Sequence, residues 1–124
     1  MSDRTIALFC GSRDWGDREA IWRDIEALPD DAIVIAGASG NVDTAAAMLA
    51  RARGLHVAEM PALWGKLGKA AGPRRNAAMV ALLAPHPGAC AYAYNLGTPG
   101  TTGTVRLLTQ AGIRVFVRDG RQAA

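Results

Sequence analysis

Three short segments carry the residues that could do chemistry in this chain. Gly11-Ser12-Arg13, Gly37-Ala38-Ser39-Gly40-Asn41 and Gly97-Thr98-Pro99-Gly100-Thr101 each follow an apolar run and precede a helix-like one. A strand-to-helix turn built from glycine and hydroxyl residues can point backbone N–H groups and a helix N-terminus at an anion. Glycine suits such a turn because the backbone can approach a ligand closely or take a positive φ. One loop of this kind is ordinary turn chemistry. Three in one chain, expected at one edge of a parallel sheet, point to the binding of a phosphate-bearing ligand.

Charge supports that reading. Residues 1–59 hold six Lys/Arg and ten Asp/Glu, whereas residues 60–118 hold seven Lys/Arg and no acid. The last six residues carry one of each, which closes on the net charge of +3. Within the acid-free half, Lys66, Lys69, Arg74 and Arg75 fall close together, either as an anion site or as a solvated basic face. Pro73 suits the first position of a helix. Two arginines just behind it face the positive end of the helix dipole, an arrangement that calls for a compensating anion. Arg75 is expected to fork onto a ligand phosphate, with any protein carboxylate partner coming from the first half of the chain.

Other residues admit two readings each. Asp43 either caps a helix or accepts from a ribose hydroxyl. Glu59, ending a strand, is the remaining general-base candidate, against the plainer reading of a solvated strand end. Trp15 and Trp64 fall in loops at the same edge, where they are either core residues or platforms for a base; Trp22 is helix packing. His56 reads as strand packing and His86 as a turn residue. With no His/Cys cluster, neither a metal nor a cofactor is expected. Cys10 and Cys90 read as buried thiols; with the strand order given below they should lie about 15 Å apart, too far for a disulfide.

The elements that must position these residues follow from periodicity. Continuous apolar runs at residues 5–10, 32–36, 55–59 and 89–94 read as strands buried on both faces, and the alternation at residues 113–117 as an edge strand. Helices are expected over residues 18–28 and 43–53, from Pro73 with Met79, Leu82 and Leu83 on its apolar face, and over residues 101–111; residues 60–71 read as irregular. The alternation predicts an α/β, Rossmann-like, three-layer αβα fold whose parallel sheet has about five strands in the order 3-2-1-4-5. One domain over residues 1–119 and a tail over 120–124 are expected. No apolar run is long enough for a bilayer, and Met1-Ser2-Asp3-Arg4 lacks a signal-peptide layout, so a cytoplasmic protein without membrane partners is expected. No Walker GxxxxGK[ST] or first-turn GxGxxG occurs, which disfavours standard nucleotide triphosphatases and dinucleotide oxidoreductases. Alanine-rich helix faces suggest a homodimer or higher assembly.

Taken together, Gly11-Ser12-Arg13-Asp14-Trp15, Gly37-Ala38-Ser39-Gly40 with Asp43, Trp64-Gly65-Lys66, Gly68-Lys69-Ala70-Ala71-Gly72-Pro73, Arg75-Asn76 with Met79, and Gly97-Thr98-Pro99-Gly100-Thr101 resemble the small YspA-like, cpYpsA-related members of the SLOG superfamily. The resemblance runs through nearly the whole chain, with Trp64 to Met79 its most specific stretch. It implies a Rossmann-like domain that binds a nucleotide or an ADP-ribose-like ligand, as a sensor or as an enzyme. It also implies that Lys69, Arg75 and Asn76 join the glycine loops in the site. Two features depart from the pattern: Asn41-Val42 adds one residue before Asp43, and Thr104 stands where phosphoribohydrolases of the superfamily place a glutamate. The first reading is therefore a binding module that senses or sequesters a nucleotide-derived ligand. The alternatives are a hydrolase of N-glycosidic bonds or ADP-ribose-type ligands, and, disfavoured by the few aromatic residues, a single-stranded DNA binder.

Overall fold

A computed structural model describes residues 3–38, 40–62 and 64–119, with Trp64 described by its backbone alone. Strands β1 (Ile6–Gly11), β2 (Ile33–Gly37), β3 (His56–Met60), β4 (Ala89–Asn95) and β5 (Arg114–Asp119) form one sheet in the order β3-β2-β1-β4-β5, every pairing parallel. The helices are α1 (Arg18–Glu26), α2 (Gly40–Ala52), α3 (Trp64–Leu67), α4 (Ala71–Leu83) and α5 (Pro99–Gln110). Among the described residues no helix is long and apolar enough to cross a membrane.

The pleat sorts the core into two layers, because alternate strand residues face opposite sides. Ala7, Phe9, Val34 and Tyr94 pack with Ile21 and Ile25 of α1 and Val42, Ala46 and Ala50 of α2. Leu8, Ile35 and Ala91 pack with Met79, Val80 and Leu83 of α4 and Leu108 of α5. The α4 face therefore uses Val80 where the sequence suggested Leu82, which is 49% exposed. Asp17 caps α1, its carboxylate accepting from the Ala20 N–H at 3.2 Å.

Several boundaries differ from expectation for backbone reasons. β1, β2 and β3 each begin and end one residue later than their apolar runs. The glycines that end two of those runs still make ladder pairs, Gly11 with Tyr94 and Gly37 with Met60. Helix α2 starts at Gly40 rather than near residue 43, since Gly40 takes φ +76° and the Asn41 N–H donates to the Arg13 carbonyl at 3.1 Å. Asp43 thus lies inside the first turn and is no N-cap. The stretch expected to be irregular contains α3 and a 3-10 turn, Gly68–Ala70, that runs directly into α4. Pro73 is consequently the third residue of α4, tolerated because N–H groups of a first turn have no intrahelical acceptor.

The thiol geometry also needs correction. Cys90 pairs with Ala7, so Cys10 is offset from it by three residues rather than five, about 10 Å along the strand. The pleat adds a second barrier: Cys90 shares the α1/α2 face with Ala7, and Cys10 faces the other side. Both cysteines are free.

Candidate functional site

Beyond the carboxyl ends of β1 and β4, α2, α4 and α5 border an open cavity of about 470 Å³. That volume suits a small molecule. Its polar wall begins at β1. Ser12 is buried, and its hydroxyl accepts from the Leu96 N–H at 2.9 Å while sharing a 2.7 Å hydrogen bond with the Thr98 hydroxyl. Thr98 Oγ1 lies 3.3 Å from Thr101 Oγ1, to which it donates. This chain of hydroxyls ties the first glycine loop to the third across two neighbouring strands. Asn95 sets the third loop itself, its Oδ1 accepting from the N–H groups of Gly97 at 2.8 Å and Thr98 at 3.2 Å. Gly97 takes φ +89°, a conformation that favours glycine.

Helix α5 starts with Pro99 directly after this turn, and no side chain caps it. Gly100 and Thr101, in its first turn, line the cavity. The positive end of the helix dipole therefore faces the cavity. Arg13, exposed, and Arg75, half-buried, add guanidinium groups to the same wall. Helices α2 and α4 contribute less donor capacity: the Asn41 N–H is used by Arg13, the Ala71 N–H by Gly68, and Pro73 has none.

Arg75 has protein partners of its own. Its Nε donates to Asn76 Oδ1 at 2.8 Å and its Nη1 to the Met60 carbonyl at 3.2 Å. A methyl group added at Gly37 would collide with this guanidinium and would lie 2.7 Å from Asp43 Oδ2. Arg75 and the buried Asp43 thus converge above Gly37, which must remain a glycine to admit them. Asp43, on α2, is the carboxylate from the first half of the chain that the fold brings beside Arg75 at Gly37.

Cys10 forms part of the same lining and is buried. Burial, reinforced by the negative charge of Asp43 and only partly offset by Arg75, pushes its thiol up to about 12. A thiol that remains protonated at neutral pH makes a poor nucleophile.

The structure brings together at the cavity Gly11, Ser12, Arg13, Gly40, Asp43, Arg75, Asn76, Thr98, Gly100 and Thr101. Gly11 has a packing role as well, since a Cβ there would meet Val42 Cγ2 at 2.5 Å and the Tyr94 carbonyl at 2.7 Å. Gly37 lies behind Arg75, while Gly97 shapes its turn without lining the cavity. Lys69 is exposed on the 3-10 turn and is not part of the lining. Ser39 and the side chain of Trp64 lie outside the described residues.

Two candidates belong elsewhere. Trp15 is a core residue, 4% exposed, set edge-on against Tyr94 with centroids 5.4 Å apart, its Nε1 donating to the Asp17 carbonyl. It offers no face to a base, because the loop after β1 folds back over the α1 side of the sheet. Glu59 pairs with Arg51 at 2.9 Å and borders a separate, shallow depression with Met48 and Thr44. As the partner of Ala36 in the register, it lies on β3, two strands from β1 and three from β4, away from the cavity.

The lining residues not placed in the site from sequence are mostly on α4 and α5: Gly72, Pro73, Met79 and Thr104, which the resemblance names without a binding role, and Gly103 and Leu107, which the structure was first to place there. A faint signal exists, since Gly100, Gly103, Thr104 and Leu107 follow helical spacing on one face. Nothing in the spacing says that this face looks into a cavity rather than a core. Thr104 spends its hydroxyl on the Gly100 carbonyl of its own helix, 3.0 Å away.

Comparison with known families matches residues 5–66 to the YspA, cpYpsA-related SLOG family. No curated protein matches the chain. The matched segment contains β1, β2, β3 and the first two glycine loops; α4, β4 and α5 lie after it.

Proposed function

The chain belongs to the YspA, cpYpsA-related SLOG family, and from that premise we propose that the cavity binds a phosphate-bearing nucleotide or nucleotide-derived, ADP-ribose-like ligand. The observation that carries this reading is the uncapped N-terminus of α5 opening on a cavity that also receives Arg13 and Arg75. A phosphate placed there would accept from the first-turn N–H groups of α5 and from the exposed guanidinium of Arg13. Asp43 and the hydroxyls of Ser12 and Thr98 suit the hydroxyls of a sugar. Because Arg75 already serves Met60 and Asn76, its share is to hold a fixed positive charge at the wall while anchoring α4 to the end of β3. Such a protein would act as a sensor or a sequestering module.

A hydrolase reading has a specific foothold as well. Asp43 is a buried carboxylate among the residues that line the cavity. Glycoside hydrolysis commonly uses two carboxyl groups flanking the scissile bond. Among the described residues the lining supplies Asp43 as its one carboxylate. Binding without turnover is therefore favoured.

Calorimetric titration with nucleoside mono- and diphosphates and ADP-ribose, with chromatography of each mixture, tests both readings. Arg13→Ala is expected to weaken binding of the best ligand about tenfold, near 1.4 kcal/mol, with the fold unchanged. Release of free base or ribose phosphate, abolished in Asp43→Asn, would replace the binding module with a hydrolase.

A further inference from the structure

Asn76 gives one half of its amide to the protein and keeps the other half open. Its Oδ1 accepts from Arg75 Nε at 2.8 Å. A guanidinium carries donors only, so the amide atom that meets it is the oxygen. Turning the amide over would set Nδ2 against Nε, donor against donor. Arg75 is itself held in place, because its Nη1 donates to the Met60 carbonyl at 3.2 Å. The sense of the Asn76 amide is therefore fixed by chemistry.

The amino group is the open half. Among the described residues nothing accepts from Asn76 Nδ2, and none that is half-buried or buried has a polar side-chain atom both sealed from solvent and unbonded. Nδ2 of the half-buried Asn76 therefore reaches open space. That space is the cavity. Asn76 lines it one helical turn after Gly72 and one before Met79, which line it as well and are buried on the same side of α4.

An amide N–H takes an acceptor, and the lining has little to spare. Asp43, its one carboxylate, converges with Arg75 above Gly37, and the hydroxyls of Ser12 and Thr98 are joined to each other. We propose that Asn76 is a specificity-determining residue, its amide held oxygen-inward by Arg75 so that the amino group selects a ligand oxygen without a hydrogen, on a phosphate or on a base carbonyl. The inference rests on the nucleotide reading of the cavity and adds the sense of one hydrogen bond. A ligand amino group at this point would meet donor with donor.

Two variants separate the duties of the amide. Asn76→Asp still accepts from Arg75 but puts an acceptor where the amino group stood, whereas Asn76→Ala removes both. Calorimetry on the full chain uses the four common ribonucleosides, their 5′-monophosphates, and ribose 5-phosphate, with the fold of each variant checked by circular dichroism. Asn76→Ala is expected to weaken the tightest-binding monophosphate about fivefold, and Asn76→Asp about tenfold or more. Because alanine adds no charge, its loss cannot come from repulsion of the phosphate. A matching loss for ribose 5-phosphate puts the acceptor on the phosphate; a loss for the nucleosides with ribose 5-phosphate unchanged puts it on the base. If Asn76 only holds Arg75, Asn76→Asp binds as the wild type does while Asn76→Ala is weakened, and that order overturns the proposal. Unchanged affinity in Asn76→Ala also overturns it and leaves the nucleotide reading in place. If ribose 5-phosphate binds the wild type as tightly as any monophosphate, and Asn76→Ala weakens it, the nucleotide reading fails while the donor stands. Wild-type protein that binds none of the probes overturns both.

Discussion

The two faces of the sheet are packed on opposite principles. On the α1/α2 face, Phe9 stacks on Tyr92 with centroids 4.8 Å apart, Tyr92 stacks on Phe116 at 5.1 Å, and Trp15 meets Tyr94 edge-on. The buried Tyr94 hydroxyl donates to Asp24 at 2.6 Å, and Arg118 closes on the same carboxylate through two nitrogens. That face is filled, and its polar groups are joined. On the α4/α5 face, aliphatic residues fill the amino-terminal part of the sheet, and glycines, threonines and prolines leave the carboxyl-terminal part open as the cavity. Because an interior is close-packed, space on one face is retained only where side chains too small to fill it are placed there. Stability is therefore concentrated on the aromatic face, and ligand recognition on the other.

The strongest way to break this contrast is to empty the filled face. Phe9→Ala removes a fully buried ring that stacks on two others and should cost about 3–5 kcal/mol, measured by urea unfolding. A loss below 1 kcal/mol would mean that the aromatic stack is not a main source of stability. A smaller effect is expected from Asp24→Ala, which leaves the buried Tyr94 hydroxyl and Arg118 without their shared acceptor. About 1–3 kcal/mol should be lost, with cavity binding unaffected.

Alkaline pH addresses both faces. Burial and the hydrogen bond to Asp24 push Tyr94 well above the ordinary tyrosine range, and burial pushes Cys10 up to about 12 from 9.0. A group whose folded pKa is raised contributes stability that is complete below its unfolded pKa and is lost as pH rises. Stability should thus decline from about pH 9 upward, first through Cys10 and then, above about pH 10, through Tyr94. Cys10→Ala should flatten the decline between pH 9 and pH 10. An unchanged slope would mean that the thiol ionises in the folded state. In the native protein at neutral pH, Cys90 should react with a thiol reagent before Cys10, and both should react after denaturation.

The open face should respond differently to truncation. Leu107 lines the cavity and is 36% exposed, so Leu107→Ala should change stability by less than about 1 kcal/mol while altering affinity for the monophosphate probes. The smallest effect belongs to the surface pair Arg23–Glu19, whose side chains are each 71% exposed. Arg23→Ala is expected to stay within about 0.5 kcal/mol of the wild type. A larger change would show that the turn of α1 bearing Asp24 contributes more than its packing suggests.

The sequence by itself determined the alternation of apolar runs and amphipathic helices, and with it the parallel sheet, its order and the gathering of three glycine loops at one edge. These follow from local periodicity and from the chirality of crossovers, which a linear chain displays openly. Tertiary structure alone decided which loop residues turn toward the cavity. Trp15 and Ser12 lie three residues apart, yet the return of the chain after β1 buries the indole against Tyr94 and leaves Ser12 bonded to Thr98. It also decided that Asp43 and Arg75, thirty-two positions apart in the chain, converge above Gly37. Asn76 shows the same division. Its identity is plain in the sequence, but whether its amide offers a donor or an acceptor depends on what holds the other atom. Arg75 holds the oxygen while the Met60 carbonyl, from the end of β3, holds Arg75, and only the juxtaposition of α2, α4 and α5 supplies the cavity that the amino group faces.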